Sequence, residues 1–404
     1  MTTTLGLPRA DGKVEQVTLG APRAWAASSS GFRTRVAFAA AHVVADPFGD
    51  NTPGAPAVVD WDSTLRFRHH LFSHGLGVAE AMDTAQRGMG MNWAATQELV
   101  RRSAAEAASA GARIAAGVGT DQLPAQLPGA PAASLQQVRA AYLEQLEFVE
   151  GTGAQAIIMA SRHLAAAAGS ADDYLELYSE LLGQASRPVI LHWLGPAFDP
   201  ALTGYWGSSD VETATATVVR LIADHADRID GIKVSLLDAD HERGLRAQLP
   251  LASDGQPVRL YTGDDFNYPE LIKGEGTFGQ TEQSQHSDAL LGIFAAIAPA
   301  AATALAALDT GDEAAYDEAF AATVPLSRHI FGTPTYHYKV GIAFLSWLSG
   351  HQDSFTMVGG LQSARSLPHL ATTLELAAAA GLVPDLDLAS SRFRALAAVQ
   401  GIEL

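Results

Sequence analysis

Asp230-Gly231-Ile232-Lys233-Val234-Ser235 is a short apolar run that carries one lysine near its end. Strand alternation puts Ile232 and Val234 on one face and Lys233 on the other. If helices cover the first face, Lys233 points inward in a sheet closed on itself. The chain has only four lysines, Lys13, Lys233, Lys273 and Lys339, among 26 basic residues, so its basic positions are mostly arginine. A desolvated lysine loses its proton readily and can form an imine with a carbonyl, which guanidinium cannot do. Pairing with an inner carboxylate is the competing, structural reading of the same residue.

Working outward, similar β-type runs recur at 35–42, 77–83, 113–118, 155–160, 188–193, 231–235, 258–262 and 276–279. Between them lie amphipathic helical stretches such as 93–110, 135–149, 171–184 and 211–225. Strand and helix in alternation, eight times, predict a (β/α)8 TIM barrel in the α/β class. After the eighth run only helical patterns follow, at 287–307, 312–328, 336–348, 368–380 and 390–399. The expected organisation is an N-terminal extension over 1–34, the barrel over 35–286 and a C-terminal helical domain over 287–404.

Composition narrows the function classes. Hydrophobic residues at 48% and charged residues at 17% are those of a folded globular chain. A net charge of −18 repels phosphate backbones and anionic lipid, so nucleic acid and membrane are not expected partners. No cysteine is present, which removes disulfides, thiolate nucleophiles and thiolate metal sites. Residues 1–16 lack an apolar h-region, so a cytoplasmic protein is expected. The uncharged stretch 290–308 is long enough for a membrane span, but Pro299 sits in its middle and Asp288 and Asp309 flank it, which predicts buried helices. Gly88 with Gly90 and Gly359 with Gly360 do not form a dinucleotide fingerprint, so no nucleotide cofactor is expected.

Pro188-Val189-Ile190-Leu191-His192-Trp193, Gly231-Ile232-Lys233 and Leu260-Tyr261-Thr262-Gly263-Asp264-Asp265 resemble strands 5, 6 and 7 of the dihydrodipicolinate synthase and N-acetylneuraminate lyase family. The resemblance runs from about 35 to 382, and the whole chain resembles the uncharacterised branch called domain of unknown function 993. It implies that Lys233 forms a Schiff base with a 2-oxo acid, and that the protein is a lyase and a homo-oligomer. Two departures stand out. His192 takes the place of the family's strand-5 tyrosine, either as a general acid/base or as a satisfied core histidine. The family's Gly-Thr-Thr-Gly-Glu loop, which receives the substrate carboxylate, falls on Asp83-Thr84-Ala85-Gln86-Arg87 and keeps only Thr84.

Other polar residues fall at predicted strand ends, where barrel enzymes carry their chemistry. They are His42, Asp46, Asp83, Arg162, His163, Asp264, Asp265, Glu282 and His286. Asp83, Thr84, Arg87, Arg162, Asp264 and Asp265 are the candidate substrate-binding residues beside the catalytic candidates Lys233 and His192. Arg87 suits an anionic or hydroxylated substrate, although an exposed rim arginine is the commoner meaning. No compact ligand motif such as His-Glu-x-x-His occurs, so no metal ligand is assigned, while a divalent ion on His and carboxylate stays possible. Trp193, Tyr205, Trp206 and Tyr268 lie near the same rim, as sugar-binding faces or as packing.

The leading expectation is a class I aldolase-like lyase acting on a small keto acid or keto-sugar through Lys233. The alternatives are a metal-dependent sugar lyase, isomerase or hydrolase on the same barrel, and a non-catalytic barrel that binds a metabolite.

Overall fold

A computed structural model describes residues 3–25, 31–125, 132–275 and 285–404. The chain begins with a hairpin of β1 (Thr3–Pro8) and β2 (Val14–Leu19), paired antiparallel. Leu5 and Leu7 are buried, and Arg9 anchors the hairpin to the C-terminal helices through a 2.6 Å ion pair with Glu375.

Eight parallel strands then close into a barrel, β3 (Ala37–Ala40), β4 (Gly77–Glu80), β5 (Ile114–Val118), β6 (Gln155–Ile158), β7 (Val189–Leu194), β8 (Ile229–Ser235), β9 (Arg259–Thr262) and β10 (Asp288–Leu291), with β10 pairing back onto β3. The helices of the barrel are α1 (Trp61–Ser73), α2 (Trp93–Ala110), α3 (Leu135–Gly151), α4 (Arg162–Ala167), α5 (Ala171–Gln184), α6 (Val211–Asp224), α7 (Ala239–Arg246) and α8 (Tyr268–Lys273). Their starts carry the chemistry that satisfies free backbone N–H groups. Asp60, Asn92 and Asp210 each accept from the third residue on, and Ser134 with Gln137 forms a reciprocal capping box.

The alternation read around Lys233 holds. Ile232 and Val234 join the layer between strands and helices, whereas Phe38, Ala79, Ala115, Ile157, Ile190, Tyr261 and Leu290 fill the barrel interior. Ile190 faces in and Leu191 faces out, so His192 faces in beside Lys233. One buried ion pair braces the barrel wall: the Arg68 guanidinium on α1 grips the Glu80 carboxylate of β4 at 2.9 and 2.8 Å.

One strand departs from expectation. The predicted run 276–279 falls outside the described residues, and the barrel is closed instead by Asp288–Leu291, so it extends past residue 286. The helix expected over 287–307 therefore opens as strand, makes a 3-10 turn at Ile293–Ala295, and becomes α9 (Ala298–Asp309). A short apolar run such as Ala289-Leu290-Leu291 serves either structure by periodicity. Asp288 decides it: its carboxylate accepts from the Val36 N–H at 2.6 Å and the Arg259 guanidinium at 3.2 Å, tying β10 to the strands on both sides.

The C-terminal helices continue as α10 (Glu313–Ala321), α11 (Thr323–Ile330), α12 (Lys339–Leu348), α13 (Leu367–Ala379) and α14 (Leu386–Val399). The single helix expected over 312–328 is two, because Pro325 lacks an N–H and is tolerated only in the first turn of a new helix. Among the described residues no helix is long and apolar enough to cross a membrane.

Candidate active site

Lys233 and His192 are Cα partners across β8 and β7. Lys233 is 5% exposed. Among the described residues its ammonium has no hydrogen-bond or ion-pair partner. Burial pulls its pKa down, and the nearby Asp83 and Asp265 carboxylates only partly oppose that pull. The lysine stem passes Gly263, where a methyl group would lie 2.8 Å from Lys233 Cε and 2.2 Å from Ser235 Oγ. Glycine is needed there for room.

His192 is 2% exposed, with Nε2 at 3.4 Å from Ser235 Oγ and Nδ1 without a partner. Burial first, and the charge of Lys233 second, hold its pKa well below that of a free imidazole. His192 is therefore neutral at physiological pH. Sequence reasoning allowed an acid/base poised near neutrality, and burial in the barrel pulls its pKa below that range.

The carboxylates divide into two kinds. Burial raises the pKa of Asp265, and its Oδ1 accepts from the Ile293 N–H at 2.8 Å. The Asp265 carboxyl and the Lys233 amine act on each other electrostatically, each reducing the pKa shift that burial imposes on the other, without a direct hydrogen bond. Asp264 instead caps its own turn, accepting from the backbone of Phe266 at 2.9 Å and Asn267 at 3.0 Å and from the Asn267 side chain at 2.9 Å. Three of its acceptor positions are taken up locally, so Asp264 serves to hold its own turn.

Asp83 opens a 3-10 turn after β4, and its Oδ2 accepts from the Tyr338 hydroxyl at 3.0 Å. The same hydroxyl is hydrogen-bonded to Thr84 Oγ1. Tyr338 sits at the N-cap of α12, so the C-terminal helices reach into the barrel mouth. With it comes Lys339, 1% exposed, whose Nζ lies 2.9 Å from the Met89 thioether.

A cavity of about 410 Å³ opens over this end of the barrel. Asp83, Arg87, Met159, Arg162, His192 and Lys339 are among the side chains that wall it, and Lys233 lies beside it through its neighbours His192 and Asp83. Arg87 is spent on the protein: Nη2 reaches Asp121 at 2.6 Å, Nη1 donates to the Gly117 carbonyl at 2.5 Å, and Gln145 accepts as well. It is not the free rim arginine that sequence allowed. Arg162 lines the mouth in an ion pair of 2.5 Å with Asp199. His163 donates from Nε2 to the Pro124 carbonyl at 2.9 Å, so its Nδ1 accepts from Thr120 at 2.9 Å.

Other expected site residues lie apart from the cavity. His42 is hydrogen-bonded to Gln352 at 2.7 Å, and Asp46 caps a turn at Phe48. His286 precedes β10 and stands at the opposite, N-terminal end of the strands, near Arg35, Arg246 and Arg259. Glu282 falls outside the described residues. Trp193, Tyr205, Trp206 and Tyr268 are buried packing, with the Tyr205 hydroxyl 2.9 Å from that of Tyr178 and the Tyr268 hydroxyl 2.5 Å from Thr323. Among the described residues no group of three or more His, Asp or Glu is arranged to hold a metal ion.

Sequence reasoning missed Tyr338 and Lys339. The scarcity of lysine that singled out Lys233 applies equally to Lys339, and was the one signal available for it.

A closed eight-stranded parallel barrel with an inward lysine late in one strand and added C-terminal helices defines the fold class of the protein. The chain belongs to the family described as Protein of unknown function (DUF993), whose model matches residues 5–402. No curated protein matches its sequence. Its fold is similar to that of solved dihydrodipicolinate synthase family members. One is YagE, a prophage protein of E. coli K12 solved with pyruvate, at 14% identity and a TM-score of 0.64 over 86% of this chain and 99% of that one. Another is the dihydrodipicolinate synthase of Acinetobacter baumannii, also solved with pyruvate, at 16% identity and a TM-score of 0.61 over 87% of this chain and 100% of that one. A third, from Bacteroides thetaiotaomicron, gives 13% identity and a TM-score of 0.61 over 85% and 99%. The chain is thus a DUF993 branch of the dihydrodipicolinate synthase fold, a TIM barrel with added C-terminal helices.

Proposed function

We propose that the protein is a Schiff-base lyase that acts on a small keto acid or keto-sugar through Lys233. The observation that carries the reading is the state of that lysine: buried, without a hydrogen-bond partner among the described residues, and held toward the free amine beside the raised carboxyl of Asp265. A lysine whose pKa is lowered gives up its proton more readily, and the amine so formed is a nucleophile.

The free amine adds to a carbonyl carbon to give a carbinolamine. Asp265 carries the proton that lets its oxygen leave as water, and the nitrogen lone pair closes the C=N bond. The resulting iminium accepts the electron pair of the C–C bond one carbon away as that bond breaks, the departing fragment losing its hydroxyl proton to become a carbonyl while the part held on Lys233 becomes an enamine. A proton returned to the enamine carbon restores the iminium, water adds to it, and Lys233 is released as the amine with the second carbonyl product. His192, being neutral, moves protons by donating from one ring nitrogen and accepting on the other, and it cannot act as a resident imidazolium.

The test is borohydride reduction in the presence of candidate 2-oxo acids and keto-sugars, followed by peptide mass spectrometry. The expected result is a covalent mass increase on the peptide that contains Lys233, lost together with turnover in Lys233→Arg. Turnover of Lys233→Arg within a few fold of the parent sinks the mechanism, because guanidinium keeps the charge and cannot form the imine.

A further inference from the structure

Three cations wall the cavity, and they differ in what surrounds them. Arg87 is saturated by Asp121, Gln145 and the Gly117 carbonyl, and Arg162 pairs through Nε with Asp199 at 2.5 Å while the rest of its half-exposed side chain stays at the mouth, where water can serve it. Lys339 is different. Its nearest acceptor is the Met89 thioether at 2.9 Å, and its ammonium otherwise faces the Tyr338 ring at 5.6 Å from the centroid. A thioether is a weak acceptor, so a buried ammonium with three donors is left short of partners, a costly state unless something else supplies them. The side chain is 1% exposed and yet lines the cavity, so the partner must come from inside it.

We propose that Lys339 is a specificity-determining residue that binds an anionic group, a carboxylate or a phosphate, on the molecule occupying the cavity. The proposal rests on the Schiff-base reading only for which carbon reacts; binding of the anion stands by itself. Position supports it, since the Asp83 carboxylate acts electrostatically on both Lys339 and Lys233. Both amines therefore lie within electrostatic range of one carboxylate, which places the anion-binding group in the same neighbourhood as Lys233. The cavity volume of about 410 Å³ suits a small metabolite. Burial, with a smaller push from Arg162, lowers the Lys339 pKa to about 8 against the opposing pull of Asp83 and Asp199. A bound anion raises it again, so occupancy and charge reinforce each other. The recognition comes from the C-terminal helices, whose Tyr338 is hydrogen-bonded to Asp83 and Thr84 in the turn after β4.

The experiment titrates the full chain with L-lactate, a carboxylate with no carbonyl to attack, and separately with inorganic phosphate, by calorimetry at pH 7. Wild type, Lys233→Met, Lys339→Met and Lys339→Arg are compared, with melting curves to establish that each is folded. The expected result is that one anion binds wild type and Lys233→Met with affinities within about threefold. Lys339→Met weakens it about tenfold or more, and Lys339→Arg recovers part of the loss. Which anion responds separates the carboxylate from the phosphate class. Equal affinity in wild type and Lys339→Met, or no binding of either anion, overturns the proposal. Lys339-dependent binding with no borohydride trapping at Lys233 retains the anion site and sinks the Schiff-base reading instead.

Discussion

His192 and Lys233 face each other as Cα partners on neighbouring strands, and the lysine's charge is one of the two causes that keep the imidazole unprotonated. Removing that charge while keeping the apolar stem raises the His192 pKa, because a neighbouring cation disfavours imidazolium. Lys233→Met is expected to shift the His192 titration upward in an NMR pH series while leaving it below that of a free histidine, since burial is the larger cause. An unchanged His192 titration contradicts the electrostatic pairing of the two.

His192→Ala is expected to lower turnover by about 10² or more with the melting temperature little changed, the usual scale for a positioned proton-transfer group. A variant with much reduced stability and normal residual turnover identifies the histidine as packing.

The Arg68 and Glu80 side chains are both fully buried and joined by two hydrogen bonds, and Arg68 also bonds the carbonyls of His42 and Thr64. Glu80→Gln leaves a buried guanidinium without its counter-charge. The expected loss is about 3 to 5 kcal/mol in urea unfolding, the cost of breaking a buried pair on one side. The double variant Arg68→Met, Glu80→Leu is expected to recover much of it, because both charges then leave together.

Acid stability follows from the buried imidazoles. His42 is 1% exposed, and burial holds its pKa at about 3. Below the unfolded value of about 6.5 the unfolded chain takes up a proton that the folded chain refuses, so stability falls as pH drops from there toward 3. The buried carboxyl of Glu242, raised to about 8, acts in the opposite sense, so the histidine term is read as a difference. His42→Gln is expected to lose about 2 kcal/mol less than wild type between pH 7 and pH 5. Equal losses in the two proteins rule the term out.

Seven of the eight barrel strands, and the inward face of Lys233, were legible in local alternation, because strand period and turn residues act over a few positions. The eighth strand was not. Ala289-Leu290-Leu291 reads equally as helix, and what makes it strand is Asp288 reaching Val36 and Arg259, residues distant in the chain. The site shows the same division. Strand-end positions exposed Lys233, His192, Asp83 and Asp265 as candidates, whereas the pairing of Arg87 with Asp121 and Gln145, 34 and 58 positions further on, left no local signal. Tyr338 and Lys339 reach Asp83 and Met89 across some 250 residues, a separation over which local pattern carries no information.

The Tyr338 hydroxyl, shared between Asp83 and Thr84, makes the C-terminal helices part of the dielectric around Lys233. Cutting the chain before α12 would do more than lose packing: water would enter where Tyr338 and Lys339 now stand, and the burial that lowers the Lys233 pKa would be weakened. Such a truncated barrel would keep the lysine and the strand that presents it, yet hold that lysine as a more ordinary, hydrated ammonium.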